Sequence, residues 1–296
     1  MSKLCIVVLV KNELMHIDRF LKQFDGSDIF IYVIDSYSTD GSLDSYKNND
    51  QITILTNPFE TQAQQFNWAI DQIDSSFEWV LRLDADELID INDLRRLIER
   101  LSSHNRYLGA SFRRIIRFKG KDLRHGGNGE IECIRIFRRG HGSANQAVMD
   151  EKIIVNGPIL KSKIEIIDAN LMSMSQWINK HNDYSSREAL NVLLSYNPKL
   201  LNNYSTNLVG SKKLYYKIPP ILRCFLFFFY RLIFQLGFLD GVRGMTFIII
   251  QGLFYRIMVD IKIQEIENLV KNFDSEIEML GKINSLLNTT IKLKSN

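Results

Sequence analysis

The chain has 296 residues, 45% of them hydrophobic and 24% charged, with a formal net charge of +3. This composition excludes disordered and disulfide-framework classes and leaves room for one large domain plus an extension. The charge is too small to argue for nucleic acid, and Cys5, Cys133 and Cys224 are odd in number and far apart, without metal spacing, so a reducing compartment is expected.

Residues 4–10 form an apolar run closed at once by Lys11, Asn12 and Glu13. The run is too short and too polar at its flank for a signal peptide and reads as a first core strand. Leu14, Ile17, Phe20, Leu21 and Phe24 fall on one helical face, predicting a helix over 13–24. Residues 29–34 read as a second strand. A short helix over 39–48, capped by Ser38 or Asp40, should follow. Strands over 52–55 and 79–83 and helices over 62–73 and 92–101 complete an alternating pattern. That alternation predicts an α/β, Rossmann-like, mainly parallel sheet with helices on both faces.

From 109 to 155 helical periodicity disappears while Gly, Arg and β-branched residues rise, predicting short strands and long loops. Residues 173–194 return to helix. After Pro219-Pro220 the composition turns aromatic and aliphatic. Residues 221–238 are 18 in number, marginal for a bilayer span of roughly 20, and Arg223 and Arg231 are costly at a bilayer centre. An interfacial helix with its arginines at the headgroups fits this stretch, favoured by Lys212, Lys213 and Lys217 just before it. The alternative is burial of the apolar stretches against each other or in a homodimer. The last 35 residues or so read as an amphipathic helix with heptad-like spacing at Ile263, Ile266, Leu269, Val270 and Phe273. The expected organisation is a catalytic domain over 1–205, divided into a nucleotide-binding half (1–103) and an acceptor-binding half (104–205), with a helical, membrane-associated extension over 206–296.

Chemistry concentrates at predicted strand ends. The fourth strand runs into Asp84-Ala85-Asp86-Glu87, three carboxylates within four residues. Ligands of open α/β sheets bind at such carboxyl ends. Paired carboxylates suit a hard divalent cation, and magnesium is usually held by one or two of them plus substrate phosphates. The second strand ends in Asp35-Ser36-Tyr37-Ser38-Thr39-Asp40-Gly41, where a helix start favours phosphate and Asp35 can accept from a base or ribose hydroxyl. Together with Asn12 and Glu13, three neighbouring strand ends carry polar groups, the pattern of a nucleotide-phosphate pocket.

In this order, Val10-Lys11-Asn12-Glu13, Asp35-Ser36-x-Ser38-Thr39-Asp40-Gly41, Gln65-x-Asn67-Trp68-Ala69 and Leu83-Asp84-Ala85-Asp86-Glu87 resemble the family 2 glycosyltransferases of the GT-A fold. Leu123-Arg124-His125-Gly126-Gly127, Ile134 to Arg139, Trp177-x-x-Lys180-His181-Asn182-x-Tyr184-Ser185-x-x-Glu188 and Gly237-Phe238-Leu239-Asp240-Gly241 look like the branch that builds bacterial lipopolysaccharide core, O-antigen and capsule. The resemblance implies that Asn12, Glu13, Asp35, Ser38, Asn67 and Asp84 line a nucleotide-sugar pocket. It also implies that Asp86, with Asp84, binds a divalent metal, Mn2+ or Mg2+. Phe66 stands where many members carry a basic residue, so the diphosphate must be met from elsewhere.

An inverting transfer needs a carboxylate to take the acceptor proton, and Asp150 or Glu151 stands where the family places it. Trp177, His181, Tyr184 and Glu188 share one helix face. His181 either reaches the metal or diphosphate or is satisfied by a neighbour. Nine basic residues against three acids between Arg113 and His141 predict attraction of a phosphorylated acceptor, with Arg124, His125, Arg135 and Arg138 as contacts.

The implied activity is hexose transfer from a nucleoside diphosphate sugar, UDP-linked by expectation, to a glycan or polyprenyl-diphosphate-linked acceptor. The implied site is the cytoplasmic face of the inner membrane. Two alternatives remain: a nucleotidyltransferase, weakened by the lack of a Gly-rich loop after the first strand, and a non-catalytic scaffold of the same fold.

Overall fold

The computed structural model describes residues 4–46, 49–104, 106–129, 131–145, 151–196, 210–270, 281–282 and 285. The chain divides into two compact units. The first comprises residues 1–124, 128–145 and 151–171, and the second 125–127, 146–150 and 172–296. The boundary expected at 205–206 lies outside the described residues.

The first unit is built on a nine-stranded sheet. Its strands, in chain order, are β1 (Leu4–Val10), β2 (Phe30–Asp35), β3 (Ile52–Thr56), β4 (Trp79–Arg82), β5 (Glu87–Ile89), β6 (Gly109–Phe118), β7 (Lys121–Leu123), β8 (Ile131–Arg138) and β11 (Ile159–Asp168). A separate hairpin pairs β9 (Gly142–Ala144) with β10 (Ile153–Val155). The sheet order is β3-β2-β1-β4-β8-β6-β11-β5. The β3-β2-β1-β4 half is parallel, as the alternating pattern predicts, and β6 and β11 are also parallel. β8 enters antiparallel between β4 and β6.

The region expected to hold only short strands contains the ten-residue β6 and the eight-residue β8. β5 and β11 carry no mark in the local pattern. β5 is three residues long, and the exposed Lys161 and Lys163 interrupt the apolar residues of β11.

Alternation along β1 explains the two cores. Leu4, Ile6, Val8 and Val10 face one side, with Ile17 and Phe20 of helix α1 (Leu14–Lys22) and Leu94, Leu97 and Leu101 of α3 (Ile91–Ser103). Cys5 and Val7 face the other, with Ala63, Phe66 and Ala69 of α2 (Gln62–Gln72). Thr61 caps α2 by accepting from Gln64 N, and Asp90 caps α3 by accepting from Asn92 N and Asp93 N. The helix expected over 39–48 is a 3-10 turn at Ser42–Tyr46. The three cysteines are free thiols.

The second unit is helical: α4 (Met174–Tyr196), α5 (Ser211–Tyr215), α6 (Leu222–Phe229), α7 (Gly241–Phe247) and α8 (Tyr255–Val270), with π-helical turns at Tyr230–Phe234 and Ile248–Phe254. The stretch 221–238 is not one straight helix, because the chain leaves the helical region at Leu236, whose φ is 55°. Arg223 and Arg231 do not sit at an outer rim either. Arg223 Nε donates to both Asp260 oxygens at 3.0 Å, and Arg231 Nε donates to the Gly126 carbonyl at 2.6 Å. Ile263 and Ile266 of the heptad-like set are buried; the side chains of Leu269, Val270 and Phe273 lie outside the described residues.

Candidate active site

The carboxyl ends of β1 and β2 are stitched together by the residues that the motifs single out. Asn12 N donates to Ser38 Oγ at 2.9 Å, and Asn12 Oδ1 accepts from Thr39 N at 2.8 Å. Asn12 reaches this position with a φ of 57°, a conformation Asn tolerates better than most residues. Glu13 N donates to Ser42 Oγ at 3.1 Å, and Leu14 N donates to Asp40 Oδ2 at 3.0 Å. The buried Asp35 accepts from Ser38 N at 3.1 and 3.2 Å, so its carboxylate first shapes the turn. Gln65 Nε2 reaches Ser36 Oγ at 3.1 Å from α2.

His16, in the first turn of α1, carries no mark in the sequence pattern. It is fully buried, its Nδ1 is 2.6 Å from Glu13 Oε2, and its Nε2 accepts from Leu171 N at 3.0 Å. An accepting Nε2 leaves the proton on Nδ1, so the ring donates to Glu13 and orients that carboxylate.

Asp84 and Asp86 follow β4 on a tight turn closed by Glu87 N donating to Asp84 O at 2.9 Å. Asp84 is partly exposed and flanked by arginines, Arg135 Nη2 at 3.3 Å and Arg82 Nε at 3.8 Å. Burial opposes its ionisation, but Arg135, Arg82 and Arg114 outweigh it and hold the carboxyl below the usual range. Glu87 behaves oppositely: burial pushes it upward, against Arg135, with Asp84 adding repulsion. Asp86 Oδ2 accepts from Asn170 Nδ2 at 2.7 Å.

Glu151 is brought to this strand end from 69 residues away. Arg82 Nη2 donates to Glu151 Oε1 at 2.7 Å. With its amide nitrogen turned towards Glu151, Gln62 at the start of α2 donates to Oε1 at 2.7 Å and to Oε2 at 3.2 Å. The Arg82 guanidinium also lies 5.1 Å from the Phe66 ring centroid. Asp150 lies outside the described residues.

Several expected site residues are also bonded within the fold. Asn67 Oδ1 accepts from Ala144 N at 2.7 Å, and its Nδ2 donates to Ala144 O at 2.9 Å, pinning β9 to α2. Arg135 is buried and bonded to Glu87, so it stabilises the acidic turn. Arg138 pairs with Glu78 at 2.8 Å, and Arg124 pairs with Glu165 through two bonds of 2.7 and 2.9 Å. Arg114 and Arg117 bind Asp168 and Asp122. Much of the basic stretch is thus neutralised by its own fold.

His125 and His181 belong to the second unit. His125 Nδ1 is 2.9 Å from Asp240 Oδ1, and its backbone N–H donates to Asp240 Oδ2 at 2.9 Å. His181 Nδ1 donates to the Trp177 carbonyl at 2.9 Å, and its ring stacks on the Trp177 indole.

No cluster of three or more His, Cys, Asp or Glu side chains able to hold a metal occurs among the described residues. Two partly exposed aspartates on one turn still fit a cation whose remaining ligands are substrate phosphate oxygens. Asp84 is engaged with two arginines, and Asp86 with Asn170.

The first unit thus presents a parallel strand–helix half-sheet that ends in an Asp-x-Asp turn, with the Glu151 carboxylate linked to its last strand through Arg82. The family profile described as Glycosyl transferase family 2 matches residues 5–155, just over half of the chain, and the chain belongs to that family; the protein is a glycosyltransferase. No curated protein is significantly similar to it in sequence. Among solved structures it is similar to S. aureus TarS 1-349, with 14% identity, 96% of this chain and 89% of that chain covered, and a TM-score of 0.40. A second structure of S. aureus TarS gives 14% identity over 83% of this chain and 54% of that one, with a TM-score of 0.37. The structure of 4-diphosphocytidyl-2C-methyl-D-erythritol synthase gives 13% identity over 47% and 77%, with a TM-score of 0.33.

Proposed function

We propose that this glycosyltransferase is inverting and metal-dependent, and moves a hexose from a UDP-sugar to a lipid-linked or surface-glycan acceptor at the cytoplasmic face of the inner membrane. The observation that carries the reading is the convergence of the Asp84–Asp86 turn and Glu151 on Arg82 at one strand end.

In this mechanism the acceptor hydroxyl oxygen bonds to the anomeric carbon as the bond from that carbon to the diphosphate oxygen breaks. Glu151 takes the hydroxyl proton, and Asp150 is the alternative base. Asn12, Glu13 and Ser38 shape the nucleotide pocket, and Asp35 holds the turn that carries Ser38. Asp86 and Asp84 would hold a divalent cation, Mn2+ or Mg2+, which when bound neutralises charge on the departing diphosphate as a Lewis acid. Arg82 keeps Glu151 from swinging away, so catalysis rests on positioning and charge stabilisation. The lipopolysaccharide, O-antigen or capsule assignment rests on the sequence resemblance.

The test is calorimetric binding of UDP with and without Mn2+ to wild type, Asp86→Ala and Glu151→Gln. Wild type should bind in a metal-dependent way, Asp86→Ala should lose that dependence, and Glu151→Gln should keep it. With a panel of UDP-hexoses, Glu151→Gln should release UDP about 10²–10⁴-fold more slowly than wild type. Absence of binding by wild type to both UDP and GDP, with metal present, overturns the reading.

A further inference from the structure

Among its described residues the second unit exposes a series of large apolar side chains. Ile221, Phe225, Phe229, Ile233, Phe234 and Val242 are all exposed, Phe234 at 76% and Val242 at 74%. They recur through α6, the π-helical turn after it and α7. Soluble monomers rarely expose contiguous apolar patches larger than a few hundred Å², and larger ones mark interaction sites.

The charges of the same region are sorted. Between residues 210 and 259 the only acid is Asp240, and it is buried against His125. Arg223 and Arg256 are turned inward onto Asp260 and Glu188. Arg231 is turned inward onto Gly126 O and Gln251. Lys212, Lys213, Lys217 and Arg243 have exposed side chains, and all are positive.

We infer that this apolar, cation-bordered face is a docking surface for an anionic lipid bilayer, lying in the plane of the membrane interface. Apolar side chains enter the acyl boundary while exposed lysines and an arginine meet acidic headgroups. The inference deepens the proposed function by naming the surface and the lipid class, and it rests on that reading only for its purpose.

Two other arrangements fit less well. A second copy of the chain on this face would set exposed cations against their like, with no exposed acid between 210 and 259 to answer them. Residues Gly237–Asn268 have the length and hydropathy to cross a bilayer. Along that stretch, however, Asp240, Arg256, Asp260 and Lys262 are tied to His125, Glu188, Arg223 and Asn182 of the same unit. A spanning segment would have to carry those partners into lipid or abandon them.

The experiment is flotation of the full-length protein with phosphatidylcholine vesicles, with and without phosphatidylglycerol. Wild type should bind the phosphatidylglycerol vesicles, and binding should weaken as salt rises. Changing Lys213, Lys217 and Arg243 to Gln should weaken binding about fivefold per charge. Phe234→Ser with Val242→Ser should also reduce binding while leaving far-UV circular dichroism and the melting temperature unchanged, because both side chains project beyond the fold. Equal binding to both vesicle types with the charge variant unaffected overturns the inference. So does absence of vesicle binding together with a dimer, seen by light scattering, that Phe234→Ser dissociates. Retention through alkaline carbonate would mark a spanning segment and also overturn it. No outcome depends on donor sugar, so failure here leaves the transferase reading standing, and failure of UDP binding leaves this one standing.

Discussion

Arg82 Nη2 lies 2.7 Å from Glu151 Oε1, joining the last residue of β4 to a carboxylate that the sequence places 69 positions later. Arg82 is buried at 4% exposure, and Glu151 is largely shielded at 12%. Removing one partner of such a pair strands the other as an uncompensated charge, whereas removing both does not. Arg82→Gln should therefore destabilise the protein by roughly 3–5 kcal/mol. The double variant Arg82→Gln, Glu151→Gln should recover much of that loss. Denaturant unfolding of the four proteins of the cycle measures the coupling. Additive losses would mean that the two residues do not act as a pair.

Asn67 gives a second expectation. Its amide satisfies both the N–H and the C=O of Ala144, a residue 3% exposed. Asn67→Ala would leave two buried backbone groups without these partners, at about 1–3 kcal/mol each when water cannot reach them. Asn67→Asp keeps an acceptor for Ala144 N but loses the donor, so it should fall between wild type and Asn67→Ala. Melting temperatures across the three proteins check the order. UDP affinity should change little if Asn67 acts through β9 and not through the nucleotide.

Glu188 predicts a pH dependence. Burial opposes its ionisation, but Arg256, Tyr255 and Tyr216 outweigh burial and lower its pKa below the ordinary 4.5. Tyr255 Oη and Tyr216 Oη donate to it at 2.7 and 3.1 Å. A depressed carboxyl contributes stability that is fully present above its unfolded pKa and is lost as pH falls through the folded value. Below about pH 4.5 the wild-type melting temperature should fall more steeply than that of Glu188→Gln. Parallel slopes in the two proteins would show that Glu188 is not the group titrating.

Where residues act through local pattern, the sequence is readable. The alternation of β1 predicts both cores, because successive side chains must face opposite sides of a sheet. The abrupt change from Leu83 to Asp84, Asp86 and Glu87 marks a carboxyl strand end, the position where open α/β sheets in general bind ligands. Asn12, Glu13 and Ser38 fall into one loop cluster for the same reason, since parallel neighbouring strands end side by side.

Charge pairing is not legible in this way. Nine cations between Arg113 and His141 look like a docking surface in one dimension, yet Arg135 is spent on Glu87, Arg138 on Glu78 and Arg114 on Asp168. Those partners lie 48, 60 and 54 residues away in number, and no local spacing announces them. The same holds for Arg223 and Arg231, which look like headgroup contacts beside a run of phenylalanines and are instead held inside. Sequence alone determined the α/β class, the strand ends and the acidic turn, because backbone periodicity and turn chemistry are properties of neighbours. Only the tertiary structure decided which charges face each other and which face the outside, because a buried charge must find a partner in space, and space is set by the completed fold.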